Sequence, residues 1–131
     1  MKRYLISALF VLTTLFACSK ISTDNYADAI IGTWQLNKGV HYTNGKQDKT
    51  EKPDYNICYS FGANGSFILE VDGEITDSGT YFVTDTYLTL ISLEYGRPDQ
   101  QRCKIKVTKN ELIFVQQKND EEAWLCFTRI H

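Results

Sequence analysis

The chain has 131 residues, 43% of them hydrophobic and 23% charged, which supports one compact domain and argues against both disorder and two separate cores. Its net charge is -2, so there is no basic excess to neutralise phosphates and nucleic acid is not an expected partner. Aromatic residues make up 13%, and with threonines and β-branched residues plentiful the balance favours strands over helices.

The N-terminus reads as a targeting segment. Lys2 and Arg3 give a positive start, and the apolar run 4–17 is shorter than the ~20 residues that cross a bilayer. It fits a secretory signal peptide over residues 1–17. Leu15-Phe16-Ala17-Cys18 resembles a bacterial lipobox, which makes Cys18 the expected lipidation site and first mature residue. Residues 18–29 are then a lipid-anchored tether, opened by polar side chains. Ser19 resembles the second residue of lipoproteins sorted to the outer membrane, on either its periplasmic or its surface face. Acyl chains contribute about 0.8 kcal/mol per buried CH₂, so several chains hold a protein at the membrane.

The domain itself spans residues 30–131. One helical turn at most is expected over residues 26–29. In the first strand Ile30, Gly32, Trp34 and Leu36 share one face by the period of two. A polar stretch, 37–52, follows with Asn44-Gly45 at its centre, a strong hairpin signal, and reads as a long loop folded over one end of the domain. Ile57, Tyr59 and Phe61 form one face of the next strand, and Ala63-Asn64-Gly65 turns the chain. Phe67, Leu69 and Val71 then oppose Ile68, Glu70 and Asp72. After the Asp72-Gly73 turn come strands at 79–83 and, beyond Asp85, at 87–93. Residues 96–99 read as a loop. Strands at 102–107, 112–117 and 124–130 complete eight. Sequential hairpins without helical crossovers make an antiparallel meander, and eight strands with one dominant apolar face remove their exposed edges by closing. The expected fold is all-β: an eight-stranded antiparallel up-and-down barrel whose first strand pairs with its last, with a two-sheet sandwich as the alternative.

Gly32-x-Trp34, Phe61-x-x-Asn64-Gly65-Ser66-Phe67, Gly79-Thr80-Tyr81 and Leu112 at the start of the seventh strand resemble the short lipocalin-like lipoproteins of Bacteroidetes, over residues 30–130. The resemblance implies a calycin-like barrel in which Trp34 plugs the closed end and Arg129 from the last strand packs across it. Guanidinium on indole contributes about 0.5–2 kcal/mol. It also implies a ligand carrier.

The residues themselves offer little catalysis. His41 in the polar stretch and His131 at the end are the two histidines, too few for a nucleophile–base constellation, and nothing has metal-ligand spacing. No enzymatic activity, cofactor or metal is expected. Glu70, Asp72 and Glu74 on one strand, and Arg102, Lys104 and Lys106 on another, read as water-facing stripes. Cys58 points outward and Cys103 inward, while Cys103 and Cys126 stand two strands apart, beyond disulfide reach, so no bridge is expected. Inward positions are Ile57, Tyr59, Phe61, Phe67, Leu69, Val71, Tyr81, Val83, Leu88, Leu90, Cys103, Ile105 and Val107, with Tyr81 and Leu88 placed inward by the resemblance because their strands are apolar on both sides. Of these, Tyr59, Phe61, Phe67, Leu69, Tyr81, Val83, Leu88, Leu90 and Ile105 are the expected walls of a ligand site. An eight-stranded barrel is either filled by side chains or holds one small ligand. Two functions follow: binding a small apolar or amphipathic ligand in the barrel mouth, with 37–52 as a partial lid, or a packed barrel acting as a protein-interaction module, an inhibitor or accessory subunit of an envelope complex.

Overall fold

The computed structural model describes residues 25–94 and 97–131. The signal peptide, Cys18 and most of the tether lie outside the described residues. A single turn of helix, α1 (Tyr26–Ala29), leads into nine strands: β1 (Gly32–Thr43), β2 (Lys46–Glu51), β3 (Ile57–Phe61), β4 (Ser66–Val71), β5 (Glu74–Thr84), β6 (Tyr87–Glu94), β7 (Arg97–Val107), β8 (Glu111–Lys118) and β9 (Glu121–Arg129). Every pairing is antiparallel, and β1 also pairs with β9, so eight strands close into a barrel and β2 is an extra one.

Two sequence expectations are corrected here. The polar stretch after Leu36 is not a loop. β1 continues to Thr43, turns at Asn44-Gly45 with both residues at positive φ, and returns as β2, paired with it from Gly39↔Glu51 to Thr43↔Lys46. β2 carries no apolar residue and is exposed throughout, so no hydrophobic alternation announces it. The turn and the free edge of β1 supply its ladder instead. Likewise, residues 97–99 belong to β7. Pro98 is tolerated because β7 at this height pairs only with β6, so its missing N–H interrupts no ladder toward β8.

β2 and β3 are two halves of one interrupted strand. Both run antiparallel to the same edge of β1, β2 against residues 39–43 and β3 against residues 32–35. Residues 52–56, containing Pro53, arch out between them.

The lower end is sealed by the two chain ends. Trp34 is Cα-paired with Arg129, and the guanidinium lies 4.2 Å from the centre of the indole. Trp34 is fully buried and its Nε1–H donates to the Ile30 carbonyl at 2.8 Å. Arg129 donates to four backbone carbonyls: Ala29 at 2.6 Å, Ile31 at 2.9 Å, Lys109 at 2.9 Å and His131 at 3.4 Å. One side chain thereby ties α1, the start of β1 and the β7–β8 turn together. Gly32 makes this possible. Its φ of +142° suits glycine, and a Cβ there would overlap the Arg129 guanidinium and the His131 carbonyl. Above this seal Ile30, Phe61, Phe67, Leu88, Ile105, Val107, Leu112 and Phe127 fill the lower half.

Gly79 is required for another reason. It stands between Phe67 on β4 and Ser92 on β6, and a Cβ would overlap the Ile91 carbonyl oxygen. The bare backbone lets β6 coil tightly over β5.

Trp34→Ala should cost about 3–5 kcal/mol in urea unfolding, and Arg129→Lys about 1–3 kcal/mol, because an ammonium cannot serve four carbonyls and an indole face at once. Gly79→Ala should cost about 1–3 kcal/mol although it adds only one methyl. Wild-type midpoints in these variants would refute the seal and the close approach.

Candidate functional site: a cavity in the upper half of the barrel

Two gaps in the ladder shape the upper half. On one side β2 has no partner beyond β1, since β4 ends at Val71 and pairs only with β3 and β5. On the other side β7 and β8 pair only from Lys104↔Val115 to Val107↔Leu112. Above that point residues 97–103 of β7 pair with β6 alone, and residues 116–118 of β8 pair with β9 alone. The closed base therefore carries two lobes, one from β2, β1, β9 and β8, the other from β4 to β7.

A cavity of about 420 Å³ lies between them. Tyr59, Leu90, Phe114 and Leu125 give it apolar walls, and Gln101, Arg102, Cys103 and Gln116 line the side facing the β7–β8 parting. Tyr59 forms its floor. That ring stacks on Phe61 with centroids 5.7 Å apart and meets the edges of Phe114 and Phe127 at 5.4 and 5.8 Å. These contacts fix an otherwise mobile side chain in one rotamer.

A second hollow, of about 340 Å³, lies higher, against β1, β2 and β9. Gly39 pairs with Leu125 and Glu51, and His41 with Ala123 and Lys49. Leu125 packs on the core, so this is the inward face. Its rim is polar. His41 Nδ1 lies 2.8 Å from Asp48, its Nε2 lies 3.5 Å from Glu121, and Thr43 also donates to Asp48. These hydrogen bonds, Thr43 first and then His41, hold the Asp48 carboxyl below its usual range. His41 is thus on a strand facing the mouth, not in the solvent-exposed loop that the sequence suggests.

The residues named as walls separate by height. Tyr59 and Leu90 line the cavity. Phe61, Phe67, Leu88 and Ile105 are buried in the floor beneath it, with Tyr81 and Val83 packed against them. Leu69 is half-buried on the same face as Tyr59, its Cα partner. The Tyr81 hydroxyl donates to the Gly62 carbonyl at 2.7 Å and braces the β3–β4 turn. Phe114, Leu125, Gln101 and Gln116 line the cavity without having stood out in the sequence. The alternation Leu112-Phe114-Gln116 was there to be read, but Ile113 and Val115 make the other face of β8 equally apolar. That outer face is covered by Trp124, whose ring meets Tyr42 at 4.9 Å and the Lys106 ammonium at 4.2 Å.

Neither Tyr59 nor Cys103 carries a charge at neutral pH. Burial pushes the Tyr59 hydroxyl up to about 12, helped by the nearby Asp77 carboxylate and, once it ionises, by Cys103. Burial alone raises the Cys103 thiol to about 11. Cys58, Cys103 and Cys126 are free thiols, and burial raises Cys58 and Cys126 as well, so none is primed as a nucleophile. Among the described residues no cluster of His, Cys, Asp or Glu could hold a metal ion. Glu70, Asp72 and Glu74 do not converge on a cleft. Asp72 instead accepts from the Asn56 backbone N–H at 2.9 Å, pinning the end of the arch. No family model, no curated protein and no solved structure matches this chain.

Because Tyr59 and Cys103 ionise at higher pH folded than unfolded, the unfolded chain loses these protons first as pH rises. Stability contributed by the two groups is complete below pH 9 and falls through pH 11–12. The urea midpoint should drop steadily over that window, less so in Tyr59→Phe. An equal decline in both proteins would show that Tyr59 is not shielded from water.

Proposed function

We propose that this protein is an envelope lipoprotein, anchored through Cys18, that binds a small apolar or amphipathic molecule inside its barrel, in keeping with the resemblance to the short lipocalin-like lipoproteins. The observation that carries this reading is the cavity of about 420 Å³ above a filled floor. It falls within the ~300–1,000 Å³ of small-molecule sites and combines apolar walls with a few polar groups on one side. The barrel acts by binding, without catalysis. β2 extends the wall beside β1, where the sequence suggests a loop as partial lid.

A second reading draws on the exterior. Phe82 is 49% and Tyr87 37% exposed, diagonal neighbours on the outer face of β5 and β6. Rings left open in this way suit contact with a protein partner.

Native mass spectrometry of the full chain purified from its own host separates the two. A co-purifying small molecule, released on unfolding, is the expected result, and Cys18→Ala should move the protein out of the membrane fraction. An empty barrel holding a stoichiometric protein partner would establish the second reading instead.

A further inference from the structure

The barrel wall is parted beside the cavity. A hollow of about 370 Å³ lies against the β7–β8 parting, lined by Tyr87, Lys104, Val115 and Gln117, and it shares Arg102, Cys103 and Gln116 with the interior cavity. The two spaces adjoin at the parting, above the last pair of the ladder, Lys104↔Val115. Both facing strand edges carry backbone N–H groups with no partner across the parting.

Charge at this slot has one sign. Arg102 lies 4.1 Å over the Tyr87 ring, which holds its guanidinium at the outer lip, and Lys104 is the Cα partner of both Tyr87 and Val115. Both cations are exposed, and neither is in an ion pair among the described residues. Among the described residues no carboxylate lines either space. Asp77, whose charge reaches Tyr59, stands on β5, away from the parting. Gln101 and Gln116 add amides that can turn an N–H toward an acceptor.

From this we infer that the β7–β8 slot is the seat of an anionic head group: the ligand is an amphiphile whose apolar tail lies against Leu90, Phe114 and Leu125 and whose carboxylate or phosphate sits between Arg102, Lys104 and Gln116. This inference rests on the binding reading above and adds to it the head-group chemistry and the route of access. The neutral floor suits a tail end, because neither Tyr59 nor Cys103 offers a charge to an ion pushed inward.

Photolabelling tests it on the full chain in phosphatidylcholine nanodiscs, using dodecanoate with a diazirine near the tail end. Labelled β8 and β9 peptides around Phe114 and Leu125 are expected, suppressed by excess dodecanoate but not by dodecanol or dodecylamine. Suppression by phosphatidylglycerol in the disc would assign the anion to a membrane lipid, and its failure to suppress would assign it to a free single-chain acid. Arg102→Gln with Lys104→Gln should lower labelling about tenfold or more at an unchanged urea midpoint, and Arg102→Lys should retain part of it. Interior labelling that dodecanol suppresses equally, and that the double variant leaves intact, would overturn the anionic seat while leaving carriage standing. Absence of interior labelling with every probe would overturn both.

Discussion

A guanidinium held between an indole and four carbonyls is the constraint on which this barrel depends. Closing eight strands requires the first and last to find each other across almost the whole chain, a pairing that local sequence preferences cannot enforce. Arg129 meets this by bonding to Ala29, Ile31 and Lys109 while stacking on Trp34. The contact is part-buried against a fully buried indole and is charge-assisted, so it contributes more than a fully exposed pair would. It also explains why residue 32 is glycine, since the space that a Cβ would take is the space the guanidinium uses.

From that base upward the barrel changes character. Bulky side chains on β3, β4, β6, β7, β8 and β9 meet at the lower end and leave no room for a guest. Higher up, the inward positions are Gln101, Gln116, Ala123 and Gly39, which are polar or small. The cavity is therefore a consequence of residue size along the strands, and the partings in the wall follow from where the ladders stop. A cavity built in this way has a packed floor and less constrained sides.

Much of the fold was legible because it is written in period two and in turn chemistry. Phe67-Leu69-Val71 against Ile68-Glu70 sets the facing of β4, and Asn44-Gly45, Asp72-Gly73, Asp85 and Asn119 all adopt the positive φ that Asn, Asp and Gly tolerate. Trp34 and Arg129 could be matched through family resemblance. The site was harder to read. β2 is wholly polar, and its strand state is imposed by a neighbour. β8 is apolar on both faces, because Trp124 shelters Val115 outside just as the barrel shelters Phe114 inside, so periodicity could not say which ring looks into the cavity. The β7–β8 parting leaves no mark in the sequence beyond Pro98, since it is defined by pairings that do not form.

The arch at residues 52–56 has a mechanical consequence. Had the second strand run unbroken, spreading the top of the cylinder would have meant shearing ladders down to the tryptophan. Interrupted by Pro53, and matched by the split on the far wall, the upper segments behave like the arms of a spring clip riveted at the bottom. No strand ladder joins the arms along their free borders, so prising them apart breaks few bonds. The width of the upper half is thus decoupled from the integrity of the rivet, and a substitution that loosens the arms need not loosen the protein.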